Sequence, residues 1–331
     1  MDKIKKTLVV TSIAAPNDVL KALAKGASEN NFDFIVIGDT KSPVKFDLPG
    51  CRFVSIDEQE QLGFRLAKIL PKRHYARKNI GYLLAKDNDL IIETDDDNFP
   101  YASFWEERNK IQTINSTENA GWVNVYSHFS KENIWPRGFP LQHLQNSKET
   151  QFNFKEISCP IQQGLADINP DVDAVYRMTM KLPFRFDPNS SIALGKNSWS
   201  PFNSQNTTWF KEAFMLLYLP SYCSFRMTDI WRSFVAQRIA WTCNWSMMYH
   251  QSTVWQDRND HSLIKDFEDE IPGYLHNEKI CSMLEDLDLI SGEKNLAENL
   301  IRCYKMLTEN NFVGKDEMNL VEAFCEDMLG S

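Results

Sequence analysis

A doubly wound α/β fold is predicted by three features of the sequence. Short β-branched apolar runs occur at residues 7–13, 32–38 and 90–94, helical patterns separate them, and carboxylates stand where the runs end. The first run, TLVVTSI, has the composition of a strand covered on both faces. Asn17 and Asp18 are placed to cap a helix that sets Val19, Leu20, Leu23, Ala24 and Ala27 on one side. The second run stops at Asp39; residues 51–56 read as a third strand, and residues 58–70 as a helix ended by Pro71. Residues 77–86 predict another helix, with Ile80, Leu83 and Leu84 as its apolar stripe, feeding the strand at 90–94. Residues 122–126 read as one more strand. Alternating strands and helices imply a parallel sheet, whose ligands bind beyond the carboxyl ends of the strands. Thr11, Asp39 and the run Asp95, Asp96, Asp97 fall there.

Further along, the texture changes. Residues 133–210 are rich in Pro, Asn, Gln, Ser and aromatic side chains, with short periodic pieces such as 172–178, and long loops of this kind are usually functional. A helix is expected over 211–217 and a strongly patterned one over 228–241. Residues 277–329 carry three amphipathic patterns and no evident chemistry, as a packing or partner-binding cap would.

Lys and Arg number 36 against 45 Asp and Glu, so the net charge of -9 argues against nucleic acid or an anionic membrane as the partner. A polyphosphate would have to be met by local cations or by a metal ion on carboxylates. Seven scattered cysteines with no C-x-x-C pair suggest reduced thiols rather than a zinc site or a disulfide framework. The N-terminal apolar stretch is short and leads straight into a helix pattern, and no segment is long enough to span a bilayer. A cytosolic location is expected.

The sharpest chemical signal is IIETDDDN, residues 91–98. At a strand end, alternate side chains share a face, so Asp95 and Asp97 point together while Asp96 points away. Carboxylate oxygens suit Mg²⁺ or Mn²⁺, which one or two carboxylates plus substrate phosphates usually hold. Asp97 is expected to bind the ion, with Asp95 assisting at the metal or at a ribose; the competing reading is a solvated acidic turn. Thr11, Asp39 and Asp96 are expected beside the same nucleotide.

The preceding segment HYARKNIGYLLAKDNDL, residues 74–90, resembles the A-R-N-x-G helix that leads into the D-x-D motif of GT-A glycosyltransferases. The match falls on Ala76, Arg77, Asn79 and Gly81, then Asp95 and Asp97, with Lys78 inserted. It implies that Arg77, Lys78 and Asn79 contact the nucleotide; taken alone, Arg77 and Lys78 read as solvated surface charges. GLADINPDVDAVYRMT (164–179), PFNSQNTTWFKEAF (201–214), FRMTDIWRSFVAQRIAW (225–241) and QDRNDHSLIKDFEDEIPGY (256–274) are similar to segments of the STELLO glycosyltransferase family, over about residues 5–275. TDDDN, FNSQN and TDIW are more distantly similar to the reversibly glycosylated polypeptides, which are UDP-arabinopyranose mutases.

These resemblances imply a GT-A-like, Rossmann-like nucleotide-sugar fold with a mixed central sheet and a helical C-terminal region. The expected divisions are a nucleotide half over 1–130, an acceptor half over 131–275 and helices over 276–331. The implied reaction is metal-dependent transfer from a UDP- or GDP-sugar to a sugar or glycan. The alternatives are a nucleotide-sugar mutase and a non-catalytic scaffold. Asp229 would be the general base or the acceptor anchor; otherwise it stabilises its helix start, with Thr228 as cap. His261 would complete the metal site, flanked by Arg258 and Lys265 as diphosphate partners, or else is an exposed loop histidine. Asp167, Asp171 and Asp173 could grip sugar hydroxyls, although a capped helix start explains Asp171 equally well, and Trp241 is a candidate sugar-stacking wall.

Overall fold

The computed structural model describes residues 4–145, 150–258 and 262–330. Strands β1 (Lys6–Thr11), β2 (Phe32–Ile37), β3 (Arg52–Val54) and β4 (Leu90–Thr94) run parallel in the order β3-β2-β1-β4. Alternate residues of β1 serve two apolar layers. Leu8 and Val10 join Val19, Leu20 and Leu23 of helix α1 (Asp18–Glu29), while Val9 faces the layer of Ile80 and Leu83. The expected helix at 58–70 is two short ones, α2 (Ile56–Gln61) and α3 (Arg65–Ile69), because Gly63 interrupts it. Helix α4 (Lys78–Leu84) lies so close to β1 that a Cβ on Gly81 would stand 2.4 Å from Val9 Cγ1. That close approach accounts for the glycine of the A-R-N-x-G pattern.

The second half extends the same sheet. After β5 (Asn98–Pro100) and β6 (Ile111–Thr117), the strand expected over 122–126 is only β7 (Gly121–Trp122) followed by a 3₁₀ turn, Val125–His128. The region read as long loops contains the fifteen-residue β8 (Asn153–Asp167), helix α5 (Ala174–Thr179), β9 (Ile192–Leu194), β10 (Ser198–Trp199) and β11 (Asn206–Phe210). Residues Lys211–Leu217 form a 3₁₀ helix. Helix α6 (Thr228–Ala240) and the twelve-residue β12 (Trp245–Gln256) follow. β11 joins β4 antiparallel, so the full order is β3-β2-β1-β4-β11-β8-β6-β9-β12-β5. This mixed sheet, parallel on its nucleotide side, is the GT-A-like class expected.

Helices α7 (Leu263–Asp286), α8 (Leu296–Glu309) and α9 (Glu317–Leu329) complete the chain. The first of them starts well before the expected residue 277. They are part of the main core rather than an appended cap. Backbone N–H groups of Arg65 and Leu66 donate to Asp327 at 2.9 and 2.8 Å, and buried Glu317 accepts from the backbone of Ser221 and Tyr222. Among the described residues no helix is long and apolar enough to cross a membrane.

Candidate active site

A cleft of about 510 Å³ opens at the carboxyl ends of β1, β2 and β4. Its nucleotide side is built from the turns after β1 (Ser12, Ile13, Ala14) and β2 (Gly38, Asp39, Thr40, Lys41), with Asp95, Asp96 and Asp97 beyond β4. The three carboxylates have different surroundings. Asp95 Oδ1 accepts from Lys78 Nζ at 2.8 Å, and Lys78 Nζ also donates to the carbonyls of Thr94 and Ser204. Asp96 accepts from Ser12 Oγ at 2.5 Å, and its carbonyl accepts from Asn17 Nδ2. Asp97 Oδ2 accepts from Gln256 Nε2 at 3.0 Å, while its Oδ1 is buried with no hydrogen-bond partner among the described residues. Burial raises all three above the ordinary carboxylate range. Asp97 moves furthest, to about 7, because the Asp95 charge adds to its burial.

The opposite side of the cleft is arranged around Arg137, which has no signal in the sequence. The loop that carries it passes tightly over α6: a Cβ on Gly138 (φ +88°) would stand 2.5 Å from Ile230 Cγ2. The Arg137 guanidinium donates from Nε and Nη2 to the two oxygens of Asp171 at 2.8 and 2.9 Å. From Nη1 and Nη2 it donates to the two oxygens of Asp229 at 3.1 and 2.9 Å. Asp229 Oδ2 also accepts from the Ser204 backbone, and Asn203 Nδ2 donates to Asp171. Burial would raise Asp171, but Arg137 outweighs it and holds that carboxyl down to about 2. Thr228 is not a helix cap: the residue before α6 is Met227, and no side chain caps the helix. Asp229 stands in the first turn of α6, where its charge suits the helix start, and it also pairs with Arg137.

Beneath the cleft a second buried pair joins the two sides. Arg232, one turn after Asp229, donates from Nη1 to Glu93, two residues before Asp95, at 2.9 Å, and its Nη2 lies 2.8 Å from the other oxygen of that carboxylate. Trp209 Nε1 (2.9 Å) and the Tyr82 hydroxyl also donate to this carboxylate.

The cleft brings together Thr11, Asp39, Arg77, Asp95, Asp96, Asp97, Asp229 and Arg258 from the expected set. Several of these are already engaged. Asp39 accepts from the backbone of Thr40 and His74, and Arg77 donates from Nε to Gln59 Oε1 and from Nη1 to the Leu70 carbonyl, while its buried Nη2 has no partner among the described residues. Arg258 lies 2.5 Å from Asp266. Three expected contacts stand apart. Lys78 is beneath the carboxylates, and Asn79 is buried with its amide bonded to the Leu219 backbone in both directions. Lys265 is on the exposed face of α7 with Glu268 and Asp269. His261 lies outside the described residues. Of the other acidic residues, Asp173 caps α5 and Asp167 accepts from Ser252 Oγ, so only Asp171 lines the cleft. Trp241 is buried against Trp199, ring centroids 4.4 Å apart, and offers no wall to a sugar.

The sequence reading missed Ser12, Lys41, Arg73, His74, Tyr75, Arg137, Phe225, Arg226 and Gln256. Ser12, His74, Tyr75, Phe225, Arg226 and Gln256 lie inside segments already singled out; Lys41, Arg73 and Arg137 carry no pattern. Burial lowers His74 to about 4, so its ring is neutral at neutral pH, and its Nδ1 accepts from the Ala76 backbone.

The family model described as STELLO glycosyltransferases matches residues 226–330, from the turn ahead of Asp229 to the end of α9. Probable glycosyltransferase STELLO2 of Arabidopsis thaliana is 27% identical over 350 residues, covering 99% of this chain and 45% of that protein. The chain is related to the STELLO glycosyltransferases. STELLO1 of the same plant is 26% identical over 348 residues, covering 98% of this chain and 44% of its own length. The chain thus spans about half the length of the STELLO proteins it matches. Among solved structures, a mycobacterial protein aligns with TM-score 0.46 and 10% identity over 83% of this chain and 75% of that one. Glucosyl-3-phosphoglycerate synthase from Mycobacterium tuberculosis, in complex with Mn²⁺ and UDP-glucose, aligns with TM-score 0.42 and 10% identity, covering 83% and 79%.

Proposed function

We propose that the protein transfers a glycosyl group from a nucleoside diphosphate sugar to a sugar or glycan hydroxyl, with Mn²⁺ or Mg²⁺ as the counter-ion of the diphosphate. The observation that carries this reading is the under-compensated carboxylate set at the end of β4. Among the described residues Asp97 Oδ1 is buried without a hydrogen-bond partner, and the ammonium of Lys78 is already shared among Asp95 and two carbonyls. A buried carboxylate in that state is relieved by a cation. Among the described residues no three His, Cys, Asp or Glu side chains form a ready-made metal cage. Hard divalent ions commonly take one or two carboxylates and complete their shell with water and phosphate oxygens, which the donor set Asp95 and Asp97 fits.

On this reading Asp95 and Asp97 hold the ion, and the turns containing Ser12 and Asp39 receive the nucleoside. The ion supplies neutralisation of charge on the leaving diphosphate. As the bond from the anomeric carbon to the diphosphate oxygen breaks, the acceptor hydroxyl oxygen forms the new bond to that carbon and its proton passes to the departing diphosphate. Asp229 serves better as an anchor for the acceptor than as its base, since both its oxygens already accept from Arg137. The test is binding of UDP and GDP with and without Mn²⁺, followed by calorimetry and thermal shift. Metal-dependent stabilisation by one of them is expected; no response to either nucleotide with metal would overturn the proposal.

A further inference from the structure

Phe225 is the one large side chain of the cleft whose turn is clamped on every side while its own ring is left open. Ser224 Oγ donates to the Asp269 carbonyl, and the Met227 backbone N–H donates to the Ser224 carbonyl at 2.8 Å. Arg226 donates from Nε and Nη2 to one oxygen of Glu270 at 3.0 and 2.7 Å. Phe225 between them is 50% exposed and lines the cleft.

The ring is held in place from behind. It packs edge-on against Tyr75, centroids 4.8 Å apart at 69°, and against His74 at 5.4 Å, while His74 stacks on Tyr75 at 11°. Tyr75 is fixed in turn, because its hydroxyl accepts from the Asp229 backbone N–H at 3.1 Å. A half-exposed aromatic face on a rigid support, with the Asp229–Arg137–Asp171 array lining the same cavity, combines two kinds of contact. One is an apolar plane, and the other is a set of fixed charged hydrogen-bonding groups. A pyranose ring presents the matching pair, an apolar C–H face and a rim of hydroxyls. The turns after β1 and β2 offer Ser12, Thr40 and Lys41 for a nucleoside; Phe225 instead comes from the turn that leads into Asp229.

We propose that Phe225, backed by Tyr75 and His74, is the stacking floor of an acceptor subsite for a pyranose ring whose hydroxyls reach Asp229. This rests on the glycosyltransferase reading and adds the residue that selects the acceptor. The test uses saturation-transfer NMR on the full chain with UDP and Mn²⁺, probing methyl pyranosides of glucose, galactose, mannose, xylose and arabinose. At least one is expected to bind with its ring C–H protons closest to the protein. Phe225→Ala should weaken that binding by about three- to tenfold, Phe225→Trp should retain it, and UDP affinity should be unchanged in both. Equal pyranoside binding in Phe225→Ala, or no pyranoside bound by the wild type, overturns the subsite. A loss of UDP affinity in Phe225→Ala overturns it too and gives the ring to the nucleoside. Failure of the wild type to bind UDP or GDP at all sinks the glycosyltransferase reading instead.

Discussion

Asp97 and Asp229 line one cleft, yet their charges are managed in opposite ways. At the end of β4, three carboxylates meet a single lysine, and one oxygen of Asp97 is left with nothing. At the start of α6, two carboxylates share a guanidinium that donates to all four of their oxygens. An incomplete set needs a cation from outside to become comfortable, whereas a complete one is ready before any ligand arrives. The first is the chemistry of binding a charged donor with its ion; the second is the chemistry of a rigid positioning surface.

The largest expected effect comes from breaking the complete side. Arg137→Met leaves two buried carboxylates without their cation and should cost about 3–5 kcal/mol in denaturant unfolding. Adding Asp171→Asn and Asp229→Asn should recover part of the loss, since the cost is uncompensated charge rather than lost volume. A loss below about 1 kcal/mol in the single variant would mean that the array is not balanced as described.

Asp97→Asn should act on affinity instead, lowering metal-dependent nucleotide binding by about 100-fold or more with the fold intact. It also sharpens the pH dependence. Asp97 in the metal-free protein is raised from 3.8 to about 7, so the folded state holds its proton more tightly than the unfolded state does. Its favourable contribution is complete below about pH 4 and is lost as pH rises towards 7. Metal-free wild type should therefore lose stability over that window, and Asp97→Asn should lack the Asp97 part of the slope. Identical pH profiles for the two proteins would remove the under-compensated carboxylate from the account.

Asp229→Asn is expected to be milder in stability, about 1–2 kcal/mol, because Arg137 keeps Asp171. Donor affinity should stay near wild type, and a large fall in it would erase the distinction between the two sides. The smallest effect belongs to Lys265→Ala. This lysine is exposed and paired only with Glu268 and Asp269, so nucleotide affinity should stay within about twofold.

The incomplete side was legible in the sequence; of the complete side Asp171 and Asp229 were, but Arg137 and its pairing with them were not, for a physical reason. Strand-end aspartates announce themselves through a short apolar run and local spacing. Arg137 meets Asp171 and Asp229 across 34 and 92 residues, and nothing near Arg137 predicts either. The same contrast holds for the fold. Strands β1, β2 and β4 are covered throughout and read as continuous apolar runs, whereas β8 passes from solvent into the core half-way and carries Pro160, which obscures any single period. Helix α7 contains Pro272, which obscures its first half, whereas α6 was expected over 228–241 and is found at Thr228–Ala240 although it is buried on nearly every side. Arg77 and Asn79 matched a nucleotide-binding pattern; Arg77 lines the cleft with its Nε on Gln59, whereas the Asn79 amide is spent on the Leu219 backbone.

The buried contact of Glu93 with Arg232 sets a distance. Glu93 is two residues from Asp95 along β4, and Arg232 is one turn from Asp229 along α6, so the pair works as a tie-rod between the aspartates after β4 and Asp229. Both ends are braced, by Trp209 and Tyr82 on the glutamate and by the Asn203 carbonyl on the arginine. Lengthening that rod would mean separating two charges out of reach of water, so the gap between the two working surfaces is a fixed gauge. A donor and an acceptor that meet here are measured against it, and whatever adjusts to them does so at the rim.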